Sequence, residues 1–423
     1  MHSRHNALGL ASAPTGTVTG AGIAKPAGVA SASDLLEQRP VQPVTLIRPH
    51  AARRAARFFV EKFPGRSLYA VKANPSPDLL KVLWESGITH FDVASIAEVR
   101  LVAKTLAEAV ICFMHPVKAE EAIAEAYFEH GVRTFSLDSL EELEKIVRVT
   151  ATDGEAASDL NLCVRLRVSS DHSKLSLASK FGAEAGETKE LLFAARQAAD
   201  ALGICFHVGS QAMTPAAYSE AMDHVRAAIV GAAVTVDIVD VGGGFPSVYP
   251  GMEPPPLEAY FEVIHRAFED LPISYSAELW CEPGRALCAE YSSVLVRVER
   301  RRGDQLYIND GAYGALFDAA HIGWRFPVKL LREEASDAKD LAFSFYGPTC
   351  DDLDHMAGPF HLPADVVAGD YIEIGMLGAY GSAMRTGFNG FGSDVTIIVE
   401  DEPMESLYAE GFREAARSNV VKL

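Results

Sequence analysis

Between residues 67 and 282, short runs rich in β-branched and aromatic residues alternate with longer stretches whose apolar positions recur every three or four residues. The short runs at 67–74, 90–95, 110–114, 134–138, 162–168, 205–210, 236–242 and 277–282 predict eight strands. The stretches between them predict helices beginning near Asp78, Ala97, Lys118, Leu140, Thr188, Pro215 and Leu257. Ser76, Ser139 and Thr214 stand where an N-cap belongs, since a hydroxyl there can take one of the unpaired first-turn N–H groups. A further helix is predicted at 51–63, with Ala55, Phe58, Phe59 and Phe63 near one face. This alternation predicts an α/β chain with a parallel (β/α)8 TIM barrel. A doubly wound open sheet is the alternative, and the strand count favours the barrel.

Beyond Tyr291 the texture changes. Runs at 294–298, 305–309, 326–331, 342–346, 371–374 and 395–399 predict strands separated by turns, with helical periodicity returning only at 403–418. This is the pattern of a second, mainly antiparallel C-terminal β domain. Residues 11–32 are rich in Ala, Gly, Ser, Thr and Pro and nearly uncharged, so 1–33 is expected to be a disordered tail. The expected organisation is therefore a tail at 1–33, a barrel at 34–285 and a β domain at 286–423. Residues 11–32 lack the continuous apolar stretch of a secretion signal, and no run approaches a membrane span.

The 423 residues carry 38 Lys and Arg against 57 Asp and Glu, a net charge of −19. That balance argues against nucleic acid and against an anionic membrane as partner. Six cysteines without close pairs make neither a disulfide framework nor a zinc site, so no metal is expected and a reducing cytoplasm is the natural compartment.

A barrel places its chemistry at the C-terminal ends of its strands. Lys72, Asp92, Arg167, His207, Ser210, Gly242 to Gly244 and Glu282 all stand there. Lys72 closes the apolar run Tyr69-Ala70-Val71, where desolvation should lower its pKa and make it nucleophilic toward an aldehyde. Gly242-Gly243-Gly244 follows a strand, and its amides can converge on an anion. Glu282-Pro283-Gly284-Arg285 ends the last strand, with a carboxylate and a forked donor. An amine, a glycine nest and an acid are what a protein needs to hold pyridoxal phosphate: Schiff base, phosphate and pyridine nitrogen in turn.

The segments Tyr69 to Asn74, Asp92-Val93-Ala94-Ser95, Phe206-His207-Val208-Gly209-Ser210, Gly242 to Pro246, Glu282 to Arg285, Gly347 to Asp354 and Phe388 to Phe391 together resemble the ornithine decarboxylases. Seven motifs in order, over roughly residues 40–401, make this resemblance specific. It implies an alanine-racemase-like barrel followed by the β domain, a pyridoxal phosphate cofactor and a basic amino acid as substrate. It further implies that Lys72 carries the cofactor and that Glu282 faces the pyridine nitrogen. His207 would stack on the ring, while Ser210, Gly242 to Gly244, Gly284, Arg285 and Tyr380 would surround the phosphate. Asp92, Glu98 and Arg167 would form a polar network around the ring. Cys350 would protonate Cα, Asp351 and Asp318 would bracket the distal ammonium, and Phe388 would wall the substrate channel. Cys350 and Asp351 would reach the active site of the neighbouring subunit, making a homodimer with sites at its interface.

The expected activity is decarboxylation of L-ornithine to putrescine, a step of polyamine synthesis. Lysine is the alternative substrate, since one methylene is worth only about 1–3 kcal/mol in a pocket. Diaminopimelate decarboxylases usually show Cys-Glu where Cys350-Asp351 stands. A racemase would need a second proton donor there. A non-catalytic regulatory homologue is disfavoured by the intact Lys72, Cys350 and Glu282.

Overall fold

The computed structural model describes residues 17–18, 23–25, 28–169, 171–177 and 179–408. Eight parallel strands form a closed barrel: β1 (Arg66–Ala70), β2 (His90–Val93), β3 (Val110–Phe113), β4 (Thr134–Leu137), β5 (Asn161–Arg165), β6 (Ala201–Cys205), β7 (Ile238–Asp240) and β8 (Glu278–Cys281). Closure comes from Trp280 and Cys281 of β8 lying beside Arg66 and Ser67 of β1. The strand at 205–210 is shifted: β6 runs Ala201–Cys205, and Phe206 to Gly209 form the loop beyond it.

Side-chain alternation divides each strand between two cores. Phe91, Ile111, Phe135, Leu162, Ile204 and Val239 belong to the layer under the helices. Leu68, Cys112, Cys163, Cys205, Ile238 and Trp280 make a separate cluster that fills the barrel floor. The barrel begins with a helix rather than a strand. α1 (Pro49–Lys62) packs Phe59, and Phe63 just past its end, edge-on against Phe261 of the helix Leu257–Glu269, with Phe58 tilted against the same ring, closing the helical ring where no long helix follows β8. Ser139 caps its helix as expected, accepting from the Glu142 N–H at 3.3 Å; Ser76 starts its helix without a side-chain cap.

The second unit is a mixed sheet in which antiparallel pairs prevail, built on the long strand β9 (Ser292–Arg302). Its other strands are β10 (Gln305–Ile308), β11 (Val328–Leu331), β12 (Asp340–Tyr346), β13 (His355–Pro363), β14 (Tyr371–Ile374) and β15 (Thr396–Ile398). β13 escaped the sequence pattern because Gly358-Pro359 interrupts its alternation. Two expectations shift here. Val44–Ile47, grouped with the barrel, lies in the sheet between β9 and β15, so the chain starts in the sheet before entering α1. At that crossing Arg48 is buried, bound to Ser293 Oγ at 2.8 Å, Glu373 Oε1 at 2.8 Å and Asp401 Oδ1 at 3.1 Å.

The expected tail also contributes structure. Thr17–Val18 pairs with Ile23–Lys25, which adds to the open edge of β15, because a free edge offers unpaired N–H and C=O groups to any extended segment. Ala32–Gln38 follows as a 3-10 helix. The remainder of 1–27 lies outside the described residues. No helix forms at 403–408, and 409–418 also lie outside them. Among the described residues no helix is long and apolar enough to cross a membrane.

Candidate active site

β1 ends at Ala70, and a 3-10 turn, Val71–Ala73, swings Lys72 over the barrel mouth. Lys72 Nζ lies 2.6 Å from Asp92 Oδ2 at the end of β2. The Lys72 side chain keeps 40% of its surface open through the mouth, while Asp92 keeps 3%. Desolvation is the largest influence on Lys72 and opposes its charge, but Asp92, then Glu282 and Tyr380, outweigh it and hold the amine above its ordinary pKa. This corrects the lowered pKa expected from burial alone: the strand ends supply anions as well as apolar walls.

His207 is neutral. Burial, then Arg165 and Lys72, press its pKa well below the ordinary value. The Gly209 N–H donates to Nδ1 at 3.0 Å, which places the remaining proton on Nε2. Directly above runs the glycine loop, where no side chain fits. A Cβ on Gly243 would stand 2.8 Å from His207 Nε2, and one on Gly242 (φ 66°) would stand 1.9 Å from the Phe206 carbonyl oxygen. The Gly242 N–H is taken by Asp240 Oδ1 at 2.8 Å. Those of Gly243 and Gly244 have no hydrogen-bond partner among the described residues. Ser210 opens a short strand, Ser210–Ala212, whose Ala212 N–H donates to the Gly244 carbonyl at 2.9 Å, so it flanks the same loop.

Glu282 follows β8 and is 8% exposed. Desolvation first, then Asp240 and Asp92, push its pKa well above the carboxylate range. Gly284 lets the next turn approach Lys72: a Cβ there would lie 3.1 Å from Ala73 Cβ. Arg285 is buried, with Nη1 3.0 Å from Tyr249 Oη and Nη2 3.4 Å from Asp318 Oδ2. Its Cζ lies 4.3 Å from the Trp324 ring centroid and 4.8 Å from that of Tyr380. Its Nε is buried without a partner. Tyr380 holds a left-handed backbone (φ 63°), fixed by its N–H bond to the Ala73 carbonyl at 2.7 Å, which ties the sheet to the Lys72 turn.

The expected polar network is rearranged. Asp92 is at the mouth, but Glu98 serves the start of α3 (Ile96–Thr105), accepting from the Ala94 N–H at 2.7 Å. Arg167 does not join them. β5 has ended, and Arg167 pairs with the exposed Glu184 at 2.8 Å on the outgoing loop. Arg165, on the strand itself, is the arginine whose charge reaches Glu282 and His207. The period-two alternation of Leu162, Cys163, Val164 and Arg165 carried that signal. Sequence reasoning also passed over Asp240, a lone charge inside an apolar run, and Tyr249 and Trp324, which frame Arg285.

Cys350 and Asp351 occupy a separate shelf in the β domain. Cys350 is the exposed cysteine; the other five are buried. Its Sγ lies 3.4 Å from Asn389 Oδ1. Asp351 accepts from Tyr313 Oη and from the Leu353 N–H, which hold its carboxyl below the usual range. Phe388 is exposed and lies 4.9 Å from the Tyr313 ring. Asp354, 1% exposed, builds the shelf by accepting from Thr349 Oγ1 at 2.7 Å and the Ala312 N–H at 2.7 Å. None of these contacts of Cys350, Asp351 or Phe388 reaches a barrel residue.

The mouth fits pyridoxal phosphate on its own terms. It holds a lysine amine, a buried acid, two unpaired loop amides and an arginine whose Nε has no partner.

Residues 50–289 match the family described as pyridoxal-dependent decarboxylase, pyridoxal binding domain, and residues 286–378 match its C-terminal sheet domain. The chain is 32% identical over 344 residues to the lysine/ornithine decarboxylase of Selenomonas ruminantium, covering 79% of this chain and 84% of that protein. It is 32% identical over 359 residues to the ornithine decarboxylase of Panagrellus redivivus, covering 79% and 80%. The solved lysine/ornithine decarboxylase of Vibrio vulnificus, complexed with putrescine, superimposes with a TM-score of 0.73 at 28% identity, covering 88% of this chain and 99% of that one.

Proposed function

The chain belongs to the pyridoxal-dependent decarboxylases, and from that premise we propose that it converts L-ornithine to putrescine, as a homodimer whose sites lie between subunits. Its chemistry is pyridoxal phosphate-dependent decarboxylation of a basic amino acid. Pyridoxal phosphate supplies an electron sink for the pair left on Cα when CO2 departs.

The chain's own residues do the rest. Lys72 Nζ holds the aldehyde, and Glu282 meets the ring nitrogen. The Gly243 and Gly244 N–H groups, with Arg285 and Tyr380, hold the phosphate. His207, neutral, offers a ring face without competing for a proton. Asp318 and Asp351 receive the distal ammonium, and the Cys350 thiol gives its proton to Cα. The last two act from the partner's shelf, in keeping with their exposure and their purely local contacts here. An exposed thiol essential to activity suits a reducing cytoplasm.

The Cys350–Asp351 pair is the observation that carries this reading. A thiol, a proton donor, stands next to a carboxyl whose pKa Tyr313 lowers, an anion suited to a distal cation. Lysine is the second reading, favoured by the name of the Selenomonas relative. Measuring CO2 release from L-ornithine, L-lysine, L-arginine and diaminopimelate tests both. Ornithine should give the highest kcat/KM; a higher value for any other member overturns the substrate.

A further inference from the structure

The floor of the barrel mouth holds a carboxylate with no part in the chemistry above. Asp240 ends β7, wholly buried. One oxygen, Oδ1, accepts from the Gly242 N–H, and Oδ2 is buried without a hydrogen-bond partner. Its neighbour is Glu282. Asp240 lies beside Trp280 in register, and the Glu282 N–H donates to the Gly242 carbonyl at 2.8 Å, so the two acids face the barrel axis one pleat apart. The Glu282 carboxyl is the side chain that acts most strongly on Asp240.

We infer that Asp240 and Glu282 share one proton, and that Asp240 is a positioning residue whose charge keeps that proton between Glu282 and the ring nitrogen of the cofactor. The inference rests on the proposed placement of that nitrogen at Glu282. Two observations carry it. A buried carboxylate oxygen without a donor is costly unless a neighbouring proton compensates it. Two carboxyl groups one pleat apart also cannot both ionise cheaply: Asp240 and Asp92 oppose the charge on Glu282, Lys72 and Arg165 favour it, and Glu98 acts on Lys72 and Asp92 from the start of the neighbouring helix. His207 is neutral, and the thiols of Cys112, Cys163 and Cys205 inside the barrel, like that of Cys281 on the outer side of β8, are pushed up by burial and carry no charge. Burial, opposed by the Gly242 N–H and Glu282, brings Asp240 up to about 6, so it is the member that ionises first.

Asp240→Asn separates this role from a structural one, because the amide keeps an acceptor for the Gly242 N–H and removes the charge. The readout is the 15N shift of the ring nitrogen in holoenzyme loaded with labelled pyridoxal phosphate. In the wild type the nitrogen should stay protonated across the pH range of the folded enzyme. In Asp240→Asn it should lose its proton at least about one pH unit lower, with the alkaline limb of kcat moving alongside. Identical titrations in the two proteins overturn the inference. If Asp240→Asn does not fold, infrared spectroscopy of the wild-type apoprotein decides. One protonated buried carboxyl at mildly alkaline pH, and a second below about 6, support the pair; none at mildly alkaline pH overturns it. Wild type that takes up no pyridoxal phosphate on Lys72 would instead sink the proposed function.

Discussion

The barrel mouth and the Cys350 shelf are built on opposite principles. At the mouth, acidic and basic groups are paired at or beside strand ends that neighbouring strands fix on both sides, and all but Lys72 are largely buried: Lys72 on Asp92, Arg285 on Asp318, Glu282 beside Asp240. On the shelf, Cys350, Asp351 and Phe388 are exposed or nearly so, and their contacts are local, to Asn389, Tyr313 and Leu353. A rigid interior suits a resident group that must be held in one pose. An exposed thiol and carboxylate on a tight loop suit a surface completed by another molecule. The difference teaches that the same chain builds one enclosed group of paired charges and one open group held only by its own loop.

The sharpest way to break this comparison is at its buried half. Lys72→Ala should remove the covalently held cofactor and nearly all turnover, at least about a thousandfold in kcat. Loss of the visible absorbance of the bound cofactor, and peptide mapping after borohydride reduction, report it. A pyridoxyl group found on another lysine would falsify the assignment of Lys72.

The second test asks whether the two halves belong to different chains. Lys72→Ala and Cys350→Ala proteins, each inactive, should regain activity when mixed and allowed to exchange subunits. With random pairing half the dimers are hybrid, and each hybrid has one site free of both changes. About a quarter of wild-type activity should therefore return. No recovery despite demonstrated exchange would put Cys350 and Lys72 of the same chain in one site.

The same contrast explains what the sequence disclosed. Strand ends converge in a barrel whatever their separation in sequence, so Lys72 and Glu282 were readable as one site from the alternation alone. Where a strand stops is a matter of pairing. The Leu166 bridge to Ala183 turns the chain outward, and this misplaced Arg167 and hid Arg165. The sheet was harder. Val44–Ile47 pairs with Ser292–Leu295 across nearly the whole barrel, and no local pattern reveals so distant a partner. On the shelf, Cys350 and Asp351 owed their roles to family resemblance, since a surface loop has no periodicity to decode. Asp354, which holds that loop, is visible only once its five-residue reach back to Thr349 and across to Ala312 is seen.

A third test sharpens the comparison at the exposed half. Asp351→Ala should lower kcat/KM for L-ornithine by about tenfold or more, while leaving the weak activity on norleucine, which has no distal ammonium, nearly unchanged. The ratio of the two substrates is the measurement. An equal fall for both would mean that Asp351 holds the loop or the dimer, and the basic-substrate reading would lose its support at this residue.

The smallest effect is expected where the shelf imitates the mouth. Tyr313 is the larger of two donors that fix a charge on the shelf, since its hydroxyl, ahead of the Leu353 N–H, holds the Asp351 carboxyl below the usual range. Tyr313→Phe keeps the ring beside Phe388 and removes only the donor. The sign follows from the depressed folded value. Near neutral pH Asp351 is ionised with or without Tyr313, so kcat/KM for ornithine should change by no more than about fivefold, the worth of one solvent-facing hydrogen bond. As pH falls, the variant should protonate Asp351 first, and the acid limb of kcat/KM should move toward higher pH. Any stability the bond contributes is present above the unfolded carboxylate value and lost as pH drops through the folded one, so the variant's melting temperature should approach that of the wild type in acid. A pH profile of kcat/KM for both proteins, with norleucine as the control that ignores Asp351, reads the effect. If both substrates lose the same factor at every pH, Tyr313 supports the loop's shape and not its charge. The Leu353 N–H would then be the donor that sets the charge of Asp351.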